Sequence, residues 1–233
     1  MLLAIDIGKT NSKIAVVRPG GEILFERKAP FSPRMDGPYP HIDADAIWEW
    51  LEESIAAATK EMLIDRICVA AHGAAAALIT ETGLAAPILD YEWEGVRDLD
   101  AEYDKLRPAY VESGSPDLPG GLNLGRQLFW LSRCHSDWFE RAWAITPFAQ
   151  YWSWRMSGVA ASEVSTIGCH SDLWAPREAG WSSLAIEQGW SQKFAKMTPA
   201  WRALGSVDRE FARRTGLPVE CVVLTGVHDS NAS

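Results

Sequence analysis

"AIDIGKTNSKIAVV", residues 4–17, sets the frame for the whole chain. Leu2–Ile7 reads as one apolar strand and Lys13–Val17 as a second, joined by a short polar turn. The turn begins on an acid, Asp6, and runs on through Gly8, Lys9, Thr10 and Asn11. A glycine-containing hairpin can aim backbone N–H groups at an anion. Thr10, Asn11 and Ser12 add side-chain donors, and Lys9 and Lys13 add positive charge. Asp6 would repel a phosphate unless a hydrated divalent cation lay between the two. The turn is neither a Walker A loop nor a G-x-G-x-x-G turn. An ordinary hairpin draws on the same polar residue types.

Outward from the hairpin, Glu22–Arg27 is a third strand, reached through Pro19-Gly20-Gly21. The proline-rich stretch 31–41 is a loop. Asp43 caps a helix running to about Glu61, with Ile47, Trp48, Leu51, Ile55 and Ala58 at helical spacing. Ile64–Ala71 reads as a buried strand and Pro87–Asp90 as another. Residues 113–121 form a loop rich in Gly, Pro and Ser. Leu124, Leu128 and Leu131 make a helical stripe, and Phe148–Met156 is a helix closed by Ser157-Gly158. Val219–Thr225 is a strand ended by Gly226. Strands alternating with helices point to an α/β fold.

The far end of the chain, "VVLTGVHDSNAS" at 222–233, presents His228 and Asp229 just beyond that strand. An acid there can cap a helix. It can also act as a general base at a strand end, where α/β folds keep their ligands.

Composition narrows the class. The chain has 233 residues, 47% of them hydrophobic, enough for a sizeable core. Its 22 basic and 31 acidic residues give a net charge of −9, which argues against a nucleic-acid partner. No apolar run approaches the roughly 20 residues that span a bilayer, and no signal-peptide pattern opens the chain, so no membrane partner and a cytoplasmic location are expected. Cys68, Cys134, Cys169 and Cys221 have neither metal-ligand nor redox spacing and read as reduced, mostly buried thiols. Of the 12 tryptophans, Trp48, Trp130, Trp152 and Trp154 sit in helix-like apolar runs and are expected in the core. Trp93, after Asp90, is the candidate for stacking on a ligand. The acids at Glu52-Glu53 and Asp98–Asp104 read as solvated helix faces.

Taken together, the Asp6–Lys13 hairpin and Gly226-Val227-His228-Asp229 resemble the FGGY carbohydrate kinases, ATP-dependent kinases of sugars and polyols. Five further stretches resemble that family in order: "VAAHGAAAALITETG" (69–83), "PILDYE" (87–92), "LGRQLFWL" (124–131), "ITPFAQYWSWRMSG" (145–158) and "ASEVSTIGCHSDLW" (161–174). The likeness implies an actin/hexokinase-like (ribonuclease H-like) fold, a mixed sheet flanked by helices. It looks closest to the branch acting on rhamnulose and fuculose, with xylulose, ribulose and tetritols open. Gln127 stands where many members carry Lys, and Leu124 where a small residue is common. Family members run to roughly twice this length, so residues 1–225 are expected to be the sugar-binding domain and 226–233 the start of an ATP-binding domain.

The resemblance implies roles residue by residue. Asp229 would be the general base and would also touch the sugar. Asp6 would hold hydrated Mg²⁺. Gly8, Lys9, Thr10, Asn11 and Lys13 would meet the phosphates of ATP, while His72, Gly73, Asp90 and His228 would contact sugar hydroxyls. A homodimer is an open expectation. A non-catalytic sugar-binding or regulatory module of the same fold is the competing reading. An actin-fold phosphohydrolase is disfavoured by the long insert between residues 85 and 215.

Overall fold

Alternation along β1 (Leu2–Ile7) sends Leu3, Ile5 and Ile7 to one face, where they are fully enclosed. In the computed structural model, which describes residues 1–232, β1 pairs antiparallel with β2 (Asn11–Val17), and β2 with β3 (Ile23–Pro30). On its other side β1 runs parallel to β4 (Arg66–Ala71), with Leu2 opposite Arg66 and Ile7 opposite Ala71. Both strands therefore end at the same level. Apart from this sheet, β5 (Ala76–Ile79) pairs with β6 (Ala144–Pro147), and β7 (Trp174–Ala175) with β8 (Gly180–Trp181). The main sheet is completed by β9 (Ala203–Ser206), β10 (Val222–Leu224) and β11 (Val227–His228) in the order β3-β2-β1-β4-β10-β9, with β11 also on β4.

The first helix, α1 (Ala44–Thr59), starts where expected: the Asp43 carboxylate accepts the Ala46 N–H at 3.1 Å. Its stripe of Ile47, Trp48, Leu51, Ile55 and Ala58 is buried against the sheet. Between β5 and β6 the chain folds into a 3₁₀ turn (Glu94–Leu99), α2 (Asp100–Tyr103), α3 (Tyr110–Ser113), α4 (Leu124–Cys134) and α5 (Ser136–Arg141). Next come α6 (Phe148–Ser157), α7 (Val164–Ile167), α8 (Ser183–Glu187), α9 (Trp190–Lys193), α10 (Arg209–Thr215) and α11 (Asp229–Ala232). Gly158 closes α6 at φ +74°, a left-handed cap. One core joins the main-sheet strands to α1 and α6 and includes Trp48 and Trp152; a second gathers Tyr103, Phe129, Trp130 and Trp190. Trp48, Trp130, Trp152 and Trp154 all belong to these cores.

Four expectations need correcting. Pro87–Asp90 is not a strand: Leu89 makes one isolated bridge to His41, and the Asp90 N–H bonds to the Pro40 carbonyl. A proline lacking its own N–H opens that segment, and the loop 39–41 takes the bonds. The acidic run 98–104 is only partly solvated, because Asp100 pairs at 2.8 Å with the buried guanidinium of Arg126. All four thiols are free, but only Cys221 is buried and Cys134 is exposed. The last strand is broken in two.

That break is built from sequence. Ile67 faces Val223 and Ala70 faces Val227, so three steps along β4 match four along the outer strand. The extra residue is a bulge, a device that re-aims the side chains beyond it. Gly226 takes it up at φ +89°, and a Cβ there would lie 2.7 Å from the Val69 carbonyl oxygen. The carbonyls it frees are met from α6: Gln150 Nε2 donates to Thr225 and Gly226, and Ser153 Oγ donates to Thr225. His228 and Asp229 follow directly.

Candidate active site

Asp6 near the end of β1 and Asp229 just past β11 flank β4 and line one cavity of about 420 Å³, floored by Ala4, Cys68, Ala70 and Val227. Burial raises the Asp6 pKa above the usual carboxylate value, repulsion from Asp229 raises it further, and Lys13 opposes both. Lys13, opposite Asp6 in register, ion-pairs with Glu26 at 2.6 Å. Among the described residues no group of three or more His, Cys, Asp or Glu side chains is arranged to hold a metal ion. Mg²⁺ commonly takes one or two carboxylates and completes its shell with water and phosphate oxygens. Asp6 and Asp229 fit that pattern of binding.

The raised Asp6 pKa carries a sign. Protonated Asp6 favours the fold fully below its unfolded value of 3.8, and that advantage is lost as pH rises through the higher folded value. Asp6 lies on the exposed face of β1, where water screens much of this cost, so its ionised form is a small burden at neutral pH. Asp6→Asn is expected to melt higher than the parent at pH 7, with the gap closing towards pH 4. Thermal melts across that range test this, and a lower melting temperature for the Asn variant at pH 7 would refute it.

A second cavity, of about 130 Å³, lies beside the ends of β4 and β11. His72, Gly73, Ala74, Tyr91, Leu118 and Leu122 line it, with Cys169, His170 and His228. The His72 N–H extends the ladder by donating to the Ile7 carbonyl at 3.0 Å. Its ring lies 4.7 Å from Phe148 and 5.5 Å from Tyr91, centre to centre. Nδ1 is 2.8 Å from the Gly73 carbonyl oxygen. A carbonyl only accepts, so Nδ1 carries the proton and Nε2 is left as an acceptor. Burial lowers the His72 pKa and favours this neutral form. Gly73 has to be glycine because a Cβ there would collide with the His228 imidazole. The His228 backbone N–H donates to Ser165 Oγ at 2.9 Å, and its Nδ1 sits 3.0 Å from Asp229 Oδ1.

The hairpin divides its residues between two directions. Gly8 N–H closes the turn onto the Asn11 carbonyl at 3.0 Å, and Thr10 is exposed. Lys9 instead reaches across to the segment 90–92. Its ammonium bonds to the buried Asp90 carboxylate, lies 3.4 Å from Glu92 and sits 4.8 Å from the Tyr91 ring centre. Asp90 Oδ1 also accepts the Glu92 N–H at 3.0 Å. Thus Lys9 and Asp90 come together, as do Asp6 and Asp229, and His72, Gly73 and His228. Trp93 stays out of the cavity, stacked on Tyr39 at 5.9 Å and edge-on to Trp130 at 4.9 Å.

Sequence reasoning missed the residues that hold the cavity's walls. Gln127 Nε2 donates to the Ala74 and Gly121 carbonyls, 2.6 Å each, tying two walls together. Asn123, fully buried, takes the Leu118 N–H at 2.9 Å and donates to Pro116 and His170 carbonyls at 3.0 Å. Gln127 had a signal, its departure from a Lys. Nothing local marks Asn123.

Solved structures share this arrangement of strands and helices. A carbohydrate kinase from Novosphingobium aromaticivorans superposes with a TM-score of 0.95 at 38% identity, covering 99% of this chain and 50% of that one. The chain belongs to the FGGY-type carbohydrate kinases. Kinases of this type share the actin-like, hexokinase-type fold with it even at low identity. A gluconate kinase from Lactobacillus acidophilus gives a TM-score of 0.83 at 14% identity over 99% of this chain and 48% of that one. Plasmodium falciparum glycerol kinase with ADP gives 0.82 at 11%, over 99% and 49%. The chain spans about half the length of the kinases it matches. No protein-family model matches the sequence, and no curated protein does.

Proposed function

We propose that this chain is the sugar-binding half of an ATP-dependent kinase that phosphorylates a hydroxyl of a neutral ketose or polyol. The observation that carries the reading is the meeting of Asp6 and Asp229 at one cavity, next to a pocket lined by His72 and His228. Phosphoryl transfer needs positioning and charge neutralisation more than covalent chemistry by the protein. Asp229 accepts the proton of the attacking hydroxyl. It is half-exposed, and its Oδ1 takes the Ser230 N–H at 2.6 Å, which fixes its direction. His72 Nε2 accepts one sugar hydroxyl, and Asp90, already countered by Lys9, accepts another. A site built from such fixed acceptors rejects analogues that lack a hydroxyl. Gly8, Thr10, Asn11 and Lys13 meet the phosphates of ATP, with Lys9 bracing the turn from behind. Asp6 would hold Mg²⁺, which when bound would supply charge neutralisation for the phosphates. The cytoplasm and the rhamnulose and fuculose branch remain part of this reading.

The test is a coupled ADP-release screen of the full-length gene product with xylulose, ribulose, rhamnulose, fuculose and tetritols. One or more should turn over. Binding of a polyol with no ADP release from any of them would favour a non-catalytic sugar-binding module instead.

A further inference from the structure

The turn 169–172 borders the sugar-side cavity, and the reaction above makes no use of it. His170 contributes to the cavity lining together with His72, Tyr91 and His228. Its φ is +51°, and that of Asp172, two residues on, is +66°. Neither is glycine, and left-handed backbone at such residues persists only where surrounding bonds over-determine it. Those bonds are present. The His170 carbonyl accepts from Asn123 Nδ2 at 3.0 Å, and the Ser171 carbonyl from the Gly125 N–H at 2.8 Å. The Asp172 N–H donates to Ser115 Oγ at 3.1 Å. The Asp172 carboxylate, wholly buried, accepts from Tyr103 Oη at 2.9 Å and Arg107 Nε at 3.0 Å.

Every one of these bonds grips the main chain or Asp172. Among the described residues no hydrogen bond holds the His170 imidazole, and the residue is exposed at the cavity rim. Glycine at 170 would keep the carbonyl bond and relieve the backbone. What the strained position retains over glycine is the imidazole alone, set on a rigid turn at the edge of a polar-ligand pocket. We propose that His170 is a substrate-contacting residue whose imidazole bonds a hydroxyl of the bound polyol at the cavity rim. The proposal rests on the sugar-binding reading and adds a contact that the hairpin and strand-end motifs do not contain.

The experiment is calorimetry on the 233-residue chain with xylulose, ribulose, rhamnulose, fuculose and erythritol, repeated for His170→Ala and His170→Gly, with thermal melts of all three. The best ligand is expected to bind both variants about fivefold more weakly, the size of one net hydrogen bond. His170→Gly should melt at or above the parent's temperature, because relief of the backbone and loss of the contact are separate effects. Binding by either variant within twofold of the parent would overturn the proposal while leaving the sugar-binding reading intact. A Gly variant that both melts lower and binds more weakly would make His170 a support of the fold, and would overturn it too. If the parent chain binds none of the five, the sugar-binding reading fails and takes this contact with it.

Discussion

Asp229→Asn in the full-length gene product is expected to reduce turnover by about 10²–10⁴-fold, the usual cost of losing a general base. Polyol affinity should stay within a few-fold of the parent. The amide keeps the size of the carboxylate, and its oxygen can still accept the Ser230 N–H that holds Asp229 Oδ1 at 2.6 Å. What it cannot do is take a proton. The contrast between kcat and binding is the point of the measurement. A lesion that merely disturbed the bulge at Gly226 would lower both, because His228 and Gly73 share that end of the sheet. Steady-state ADP release and calorimetry on the same preparation decide it. Turnover near the parent rate would remove Asp229 from the chemistry.

The second large effect concerns residues 1–233 as a separate molecule. They are expected to bind a polyol, to bind ATP barely, and to transfer no phosphate. The residues proposed to contact the sugar, His72, Asp90 and His228, all lie in this chain, whereas the proposed nucleotide contacts, the hairpin and Asp6, are those for the phosphate end alone. Closing a two-sided cleft brings reactants together and excludes water. Holding two reactants in place can account for roughly 7–11 kcal/mol of a barrier, and a single wall forfeits most of it. Calorimetry with ATP and Mg²⁺, alongside a phosphate-transfer assay, tests the expectation. Tight ATP binding or multiple turnovers from these 233 residues would show that they hold a complete nucleotide site.

How far the sequence revealed these features depends on the range of the forces involved. β1 was readable because alternation at Leu3, Ile5 and Ile7 is local, and α1 because Asp43 and its apolar stripe lie within one helix. β5 was not, since all four residues of "AALI" are buried and leave no alternation to see. Asp6 and Asp229 were legible as acids at strand ends. The Lys9–Asp90 bond was not, because it joins residues 81 apart. Only the fold brings the apex of the first hairpin against the segment after β5. The acid run 98–104 misled for the same reason: Asp100 looks solvated until Arg126, 26 residues on, folds beneath it.

The wholly buried Arg126 has a bearing on how such a protein can change its diet over evolutionary time. Its guanidinium pairs with Asp100 and Asp117 at 2.8 Å and stacks over Tyr103, while neighbouring Asn123 holds the 116–118 loop and the 170 turn. Buried pairs of this sort are costly to break one partner at a time. Of the side chains facing the cavity, those of Leu118, Leu122 and Cys169 take no part in these bonds. The frame and the lining are therefore made by different side chains. Drift at 118, 122 or 169 can reshape the cavity one substitution at a time, while the charged frame behind it keeps each intermediate folded. Under the sugar-binding reading proposed above, preference for one hydroxyl pattern over another can then wander without passing through a sequence that no longer folds.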